Sequence, residues 1–458
     1  MAGQLQHDLL CACPAAGLRL PVEERAGRTG EGPGRNGRAQ RHRRGHRGQS
    51  RSKHRARHRL PGHEQRRPPG PAGGGAPGGG SLGRVSGTQR GGHGDSAVGG
   101  DGGEYPGAVA QQPGAEPVTL NPGRPRLATL IVEVTQACDH ACVHCYNYWN
   151  HPAYNRPLLP DGDDLRPLLA HALDQVECSN VTLTGGEPTL RADLPELVGF
   201  LAARGHSVNL ISNGHRLSDT LVDALIGRGV SLFELPLLSY RREVHDGMSA
   251  APGAFDAVLA ALAEIRRRQG QAVCVFVATR RNLADLEDTL RLAFAFGARG
   301  VMLNRFNPGG RGSAHIAELL PSVGEMQAAL EVAERVSRRY GLPISCSIPL
   351  QPCLVDMSLY PSLGYGFCAA GSERAYYTLD TAGNLRPCNH TPTVLGNVWR
   401  QPLAEMMQGE ALAAFKAALP ERCRPCPRRD ECQGGCKAAA QVCYGDLRAE
   451  EPFLRQTR

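Results

Sequence analysis

From Leu127 onward, short apolar runs alternate with longer stretches whose apolar residues recur every three or four positions, the pattern of strands followed by amphipathic helices. Strands are expected at residues 127–135, 180–184, 207–211, 232–238, 272–278 and 300–305. Between and after them, helices are expected at 194–203, 218–226, 254–268, 283–296 and 322–339. In the third of these, Phe255, Val258, Leu259, Leu262 and Ile265 line one face. Gly205, Gly229, Gly270, Gly300 and Gly341 follow the helices, where a left-handed residue closes a helix at least cost. Repeated strand and helix units with right-handed crossovers build either an open sheet or a barrel, and periodicity alone does not choose. In both, chemistry collects at the carboxyl ends of the strands.

Composition changes the picture ahead of this region. Residues 27–114 are crowded with Gly, Pro, Arg and His and have almost no aromatic or branched apolar residues with which to build a core. Residues 1 to about 120 are therefore expected to be a disordered tail, or a stretch upstream of the true start; the bias of 49 Arg to three Lys, suggesting a GC-rich gene, favours the second. Ten arginines and Lys53 between Arg35 and Arg59 account for +11 against a whole-chain charge of +8, so the rest of the protein sums to −3. A basic arm on nucleic acid is the competing reading of that run. No apolar run reaches membrane-spanning length and the N-terminus lacks a secretory pattern, so a cytoplasmic protein with no membrane partner is expected.

Sixteen cysteines in a long chain without an export signal point to thiolates kept for metal rather than to disulfides. Cys138, Cys142 and Cys145 follow the first strand with C-x3-C-x2-C spacing. Three thiolates leave one iron of a 4Fe-4S cluster open to a non-protein ligand. Zinc, which wants four donors, would have to borrow His140 or His144. After the second strand comes Thr184-Gly185-Gly186-Glu187-Pro188, and after the third Ile211-Ser212-Asn213-Gly214. A second set of seven cysteines runs Cys368, Cys388, Cys423, Cys426, Cys432, Cys436 and Cys443, with Gly383 between the first two. Its C-x2-C-x5-C-x3-C core also suits a zinc ribbon. Cys178 and Cys274 read as buried apolar residues; Cys11 and Cys13 receive no role.

Taken together these motifs resemble the radical S-adenosylmethionine (SAM) superfamily, and the cysteine-rich end resembles its SPASM domain. The resemblance implies a partial (β/α)6 TIM-like barrel over residues 121–320, followed by a linker helix and SPASM domain over 321–458. It implies three 4Fe-4S clusters, one binding SAM at the triplet and two auxiliary, with Gly185, Gly186, Glu187, Ser212, Asn213 and His144 contacting SAM. By the same resemblance one auxiliary cluster takes Cys368, Cys388, Cys436 and an upstream cysteine, for which Cys353 is preferred to Cys346. The other takes Cys423, Cys426, Cys432 and Cys443.

The resemblance further implies one-electron cleavage of SAM and removal of hydrogen from an unactivated C–H. The substrate expected is a ribosomally made peptide or protein undergoing modification; the alternatives are a haem or other small cofactor precursor and, in another class, a zinc-stabilised nucleic-acid-binding protein. Sulfatase-maturing relatives carry Asp directly after the cysteine equivalent to Cys388, whereas this chain has Asn389-His390. His390 is a candidate proton acceptor, set against a structural role beside a cluster. Ser239 stands displaced from the Ser-Leu-Asp-Gly pattern of many relatives, and Arg305 is a candidate carboxylate ligand or a surface ion pair. An electron donor such as flavodoxin or ferredoxin is implied, as is a separate leader-peptide-binding protein for a peptide substrate.

Overall fold

In the computed structural model, described for residues 124–372 and 374–457, the apolar runs become strands of one sheet. Its strands are β1 (Arg126–Thr135), β2 (Glu177–Gly185), β3 (Ser207–Ile211), β4 (Val230–Pro236), β5 (Ala272–Ala278), β6 (Val301–Arg305), β7 (Ile344–Cys346), β8 (Leu363–Tyr365), β9 (Tyr376–Leu379), β10 (Asn384–Arg386) and β11 (Gly396–Asn397). The helices are α1 (Arg166–Leu173), α2 (Leu194–Ala203), α3 (Asp219–Arg228), α4 (Arg242–Ser249), α5 (Ala254–Arg267), α6 (Leu286–Ala295), α7 (Ile316–Leu319), α8 (Val323–Tyr340), α9 (Leu403–Gln408), α10 (Glu410–Ala417), α11 (Arg429–Cys432) and α12 (Lys437–Tyr444). The expected tail at 1–120, with Cys11 and Cys13, lies outside the described residues.

All six expected strands are present, adjacent and parallel in chain order, giving the partial barrel. Strand order is β11-β10-β9-β1-β2-β3-β4-β5-β6-β7-β8, so the C-terminal strands extend both edges of the core. β9 runs parallel beside β1, with Thr129 opposite Tyr376 and Val132 opposite Leu379. The period of two divides each strand. Leu130, Val132, Val134, Val181, Leu183, Leu210, Phe233 and Leu235 belong to the apolar core, while the alternate positions Glu133, Thr184, Ile211 and Glu234 share the opposite, inner face.

Two helix stops differ from expectation. α5 is followed by Gln269 in the left-handed region (φ 60°) rather than by Gly270 in that role, and α6 is followed by Gly297 (φ 82°) rather than Gly300. Gly270 is needed for space instead: a Cβ there would stand 2.8 Å from Ile226 Cδ1. Among the described residues no single helix is long and apolar enough to cross a membrane.

Candidate iron–sulfur and SAM site

The two glycines of the β2 turn are dictated by contact with the cysteine loop. A Cβ on Gly185 would lie 2.1 Å from Thr135 O, and one on Gly186 would lie 2.0 Å from Ala137 O. Backbone meets backbone there: Gly186 N donates to Thr135 O at 2.8 Å and Glu187 N to Ala137 O at 2.8 Å. Gly185 also sits at φ 135°, which a side chain rarely tolerates.

Glu187 joins this turn to the next one. Its carboxylate accepts from Thr189 N (3.0 Å), Thr189 Oγ1 (2.6 Å), Ser212 Oγ (2.8 Å) and Asn213 N (2.7 Å). Burial raises its pKa and these donors oppose the rise. Asn213 Nδ2 and Arg216 Nε each donate to Asp139 at 2.8 Å, closing the triangle back to the cysteine loop. The three motifs of the barrel mouth are thereby brought together.

Within the loop, Cys138 Sγ accepts from His140 N and Cys145 Sγ from Asn150 Nδ2, both at 3.4 Å. Burial, then the charges of Cys145 and Cys138, pushes the Cys142 thiol far up; burial alone is the largest cause for Cys138, at about 11. Such thiols ionise readily only against a cationic inorganic group, so the donor set fits a cluster with one open iron. Among the described residues no three His, Cys, Asp or Glu side chains close around a point that could hold a single metal ion.

His144 lies within charge range of His245 and bonds the Met248 backbone. Burial and the nearby His245 hold it down at about 4, and its Nδ1 is buried without a partner. The His245-Asp246 pair is structural: His245 Nδ1 accepts from Leu238 N (3.2 Å), and Asp246 accepts from Gly253 N and Phe255 N (both 2.8 Å) at the start of α5. Ser239 is fully buried and donates to Asp285 at 2.7 Å.

The turn after β6 forms the far wall. A Cβ on Gly310 would stand 2.3 Å from Asn147 O, and Gly312 N donates to Cys145 O at 3.0 Å. Arg305 is neither a free ligand nor a surface ion pair: it is completely buried, bound to Glu451 at 2.5 Å and to Pro349 O at 2.9 Å. Glu451 also accepts from Cys436 N at 3.1 Å, so Arg305 positions a cysteine indirectly.

The second cysteine set separates into two groups. Burial pushes Cys388 up to about 12, with Cys436 and Cys368 as its charged sulfur neighbours. Asn307 Nδ2 donates to Cys436 Sγ at 3.3 Å and meets His390 Nδ1 at 3.2 Å. Burial likewise pushes Cys423 to about 11, with Cys432, Cys353 and Cys426 as its sulfur neighbours. Gln433, Gly434 and Gly435, all at positive φ, swing the chain from Cys432 to Cys436 and so from one group to the other. Cys443 lies in the apolar core on α12, and Cys346 is buried in β7. Gly383 turns β9 into β10 at φ 84°, where a Cβ would meet Trp399 Cδ1 at 2.9 Å.

Two carboxylates on the inner face escaped the motif reading. Glu133 on β1 is paired with Arg386 on β10, and Arg386 lies 4.9 Å from the Tyr148 ring centroid. Burial raises Glu133 to about 7 despite that partner. Glu234 on β4 is raised to about 7 by burial alone, and its charge is felt at Tyr146, next to Cys145. A lone acid inside an apolar strand was the available signal for each. Burial, then the charges of Arg386 and Arg305, hold His390 down at about 4.

A partial barrel whose mouth carries a three-thiolate loop held by two glycine turns, with further sulfur sites at its edge, defines an iron–sulfur enzyme. The sequence model of the Radical SAM superfamily matches residues 132–293, and that of an iron-sulfur cluster-binding domain, SPASM, matches 368–427. The chain is 28% identical over 354 residues to the PqqA peptide cyclase of Ruegeria pomeroyi, covering 73% of this chain and 88% of that one. It is 26% identical over 348 residues to the AdoMet-dependent heme synthase of Methanosarcina barkeri, covering 70% and 94%. Streptococcus suis SuiB bound to S-adenosylmethionine has a similar fold, with TM-score 0.57 and 14% identity over 72% of this chain and 77% of that one.

The chain is a radical SAM enzyme with a C-terminal SPASM domain. Its cofactors are SAM and three 4Fe-4S clusters, one SAM-binding and two auxiliary. The reading as a zinc-stabilised nucleic-acid-binding protein gives way to this assignment.

Proposed function

We propose that the enzyme modifies a ribosomally made peptide, closing a new bond at an unactivated carbon. The observation that carries the reading is the inner face shared by Glu133, Thr184, Ile211 and Glu234, where the Glu234 carboxyl lies within charge range of Tyr146, next to Cys145. Relatives named for a peptide substrate support it, as does the fold shared with SuiB bound to its precursor peptide SuiA, at TM-score 0.55.

When bound, the open cluster and SAM supply one-electron cleavage of the sulfonium and hydrogen removal from the substrate. Cys138, Cys142 and Cys145 hold that cluster; Gly185, Gly186, Ser212 and Asn213 frame SAM, and Glu187 fixes the frame. His144 is the remaining SAM contact of this reading. As the new bond closes, the substrate also gives up one electron, which an auxiliary cluster held by the C-terminal cysteines would take, and one proton, which Glu234 accepts. A carboxyl near pKa 7 is matched to that task at neutral pH.

The division into a tail (1–120), a radical SAM core (121–320) and a SPASM region (321–458) is part of this reading. So is a cytoplasmic setting. Flavodoxin or ferredoxin is the reductant, and a separate protein presents the peptide leader. The heme synthase relative favours a second reading, in which the substrate is a haem precursor.

The test is 5′-deoxyadenosine release from SAM with dithionite, which is abolished in Cys142→Ala. Mass spectrometry then decides between substrates. A short Cys- or aromatic-rich precursor peptide is expected to be encoded beside the gene and to lose two hydrogens; if it is untouched while a haem-precursor porphyrin is altered, the peptide reading fails.

A further inference from the structure

The turn after β6 reads Gly309-Gly310-Arg311-Gly312, and its glycines stand where the cysteine loop leaves no room for side chains. A Cβ on Gly309 would lie 2.8 Å from Tyr146 O and one on Gly310 2.7 Å from Cys145 O. One on Gly312 would lie 2.9 Å from Phe306 Cε2 and 3.3 Å from His144 O. Ser313 locks the turn, its N donating to Gly309 O at 3.0 Å and its Oγ to Gly310 O at 2.8 Å. The one side chain of the turn, the half-buried Arg311, is therefore held against the triplet. Arg311 Nη2 donates to Asn150 Oδ1, and Asn150 Nδ2 donates to Cys145 Sγ, both at 3.4 Å. That order is forced. A guanidinium has only N–H donors, so it takes the amide oxygen and turns the amide nitrogen toward the sulfur. Among the described residues no carboxylate forms an ion pair with Arg311, whereas Asp139 on the same loop is matched by Arg216.

We propose that Arg311, acting directly and through Asn150, raises the reduction potential of the open cluster and so sets which electron donors can drive SAM cleavage. Three thiolates make this site anionic, and reduction adds one more negative charge. A guanidinium without a carboxylate partner and an N–H···S bond to Cys145 both favour the more negative state. Partial burial strengthens the effect, because a charge there is less screened than in water. Arg311 keeps its charge at any working pH, so the bias is permanent. Its charge also opposes the burial that pushes the Cys142 thiol up. Electron balance is unaltered: one electron still comes from the external donor and passes to the sulfonium, and Arg311 changes only the energy at which it is held in between. The proposal rests on the radical SAM assignment and is independent of the peptide reading.

The test is an anaerobic EPR redox titration of the full chain loaded with iron and sulfide. The reduced signal that changes on adding SAM identifies the open cluster, and its midpoint is taken before SAM is added. Arg311→Gln should lower that midpoint until about tenfold less of the cluster is reduced at a given poise, a shift of about 59 mV for one electron. Arg311→Lys, which keeps the charge, should recover most of the loss. Asn150→Leu removes the bond to sulfur alone and should shift the midpoint the same way by less. If Arg311→Gln loses its iron, an unshifted Asn150→Leu overturns the proposal. An unchanged midpoint in Arg311→Gln also overturns it, and weaker SAM binding in that variant would place Arg311 on SAM instead. A lysine variant no better than the glutamine one rules out the charge as the cause. Wild-type protein without a SAM-sensitive signal would overturn the radical SAM assignment itself, which sets that failure apart from the others.

Discussion

The rings of Tyr146 and His390 stack with centroids 4.1 Å apart, and Asn389 Nδ2 donates to Tyr146 Oη at 2.9 Å. Tyr146 directly follows the last cysteine of the triplet, and His390 lies two residues after an auxiliary cysteine. One aromatic contact thus joins the two metal-bearing loops. His390→Phe should preserve the stack and the thermal stability, whereas His390→Ala should cost about 1 kcal/mol. Calorimetry on the two variants checks this; equal losses would show that the stack contributes nothing.

Gly186→Ala should remove one cluster without unfolding the protein. The added methyl would stand 2.0 Å from Ala137 O, so the loop that begins at Cys138 must move. Iron should fall from about twelve to about eight per chain, four per cluster. SAM cleavage should disappear with it. Iron determination and the 5′-deoxyadenosine assay report the two effects separately.

Glu234 gives a pH signature. Its carboxyl is raised from 4.5 to about 7 by burial, so the native state keeps its proton where the unfolded chain has lost it. Stability from this group is therefore highest below pH 4.5, declines between pH 4.5 and 7, and is fully lost above pH 7. Glu234→Gln should be more stable than wild type at pH 8 by about 1–3 kcal/mol, the gain shrinking toward pH 5. The same variant should still release 5′-deoxyadenosine while product formation falls about a hundredfold or more. Parallel denaturation curves at the two pH values, with both products quantified, decide the matter.

Arg386→Ala leaves Glu133 buried without its cation. The loss should be about 3–5 kcal/mol at neutral pH, and smaller in acid, where Glu133 is protonated. Combining it with Glu133→Gln should restore much of the stability. A double variant no more stable than the single one would show that Arg386 acts through packing on Tyr148 instead.

Much of this molecule can be read from its sequence, and the reasons for the remainder are physical. The first six strands are long enough for alternation to declare itself, and the cysteine loop, Gly185-Gly186 and Ser212-Asn213 sit at strand ends where short motifs fix the backbone. β7 to β11 have two to four residues each, too few for any periodicity, and are set by partners distant in the chain. α4 was likewise missed: its eight residues carry only one large apolar side chain that is buried, Met248 beside His245. Cys353 is placed by the resemblance alone, because the turn that carries it is fixed by Gln351 reaching Glu451, a contact spanning 100 positions. Arg305 has the same explanation, since Glu451 lies 146 residues away.

The parallel pairing of β9 with β1 has a mechanical consequence. β10, the strand that delivers the chain toward Cys388, is separated from β1, which delivers it toward Cys138, by β9 alone, and β9 is hydrogen-bonded to both. Neighbouring strands are held about 4.8 Å apart by backbone bonds. The gap an electron must tunnel across between these two regions is therefore fixed by the lattice of the sheet, and no domain hinge opening during turnover can lengthen it without first tearing those bonds.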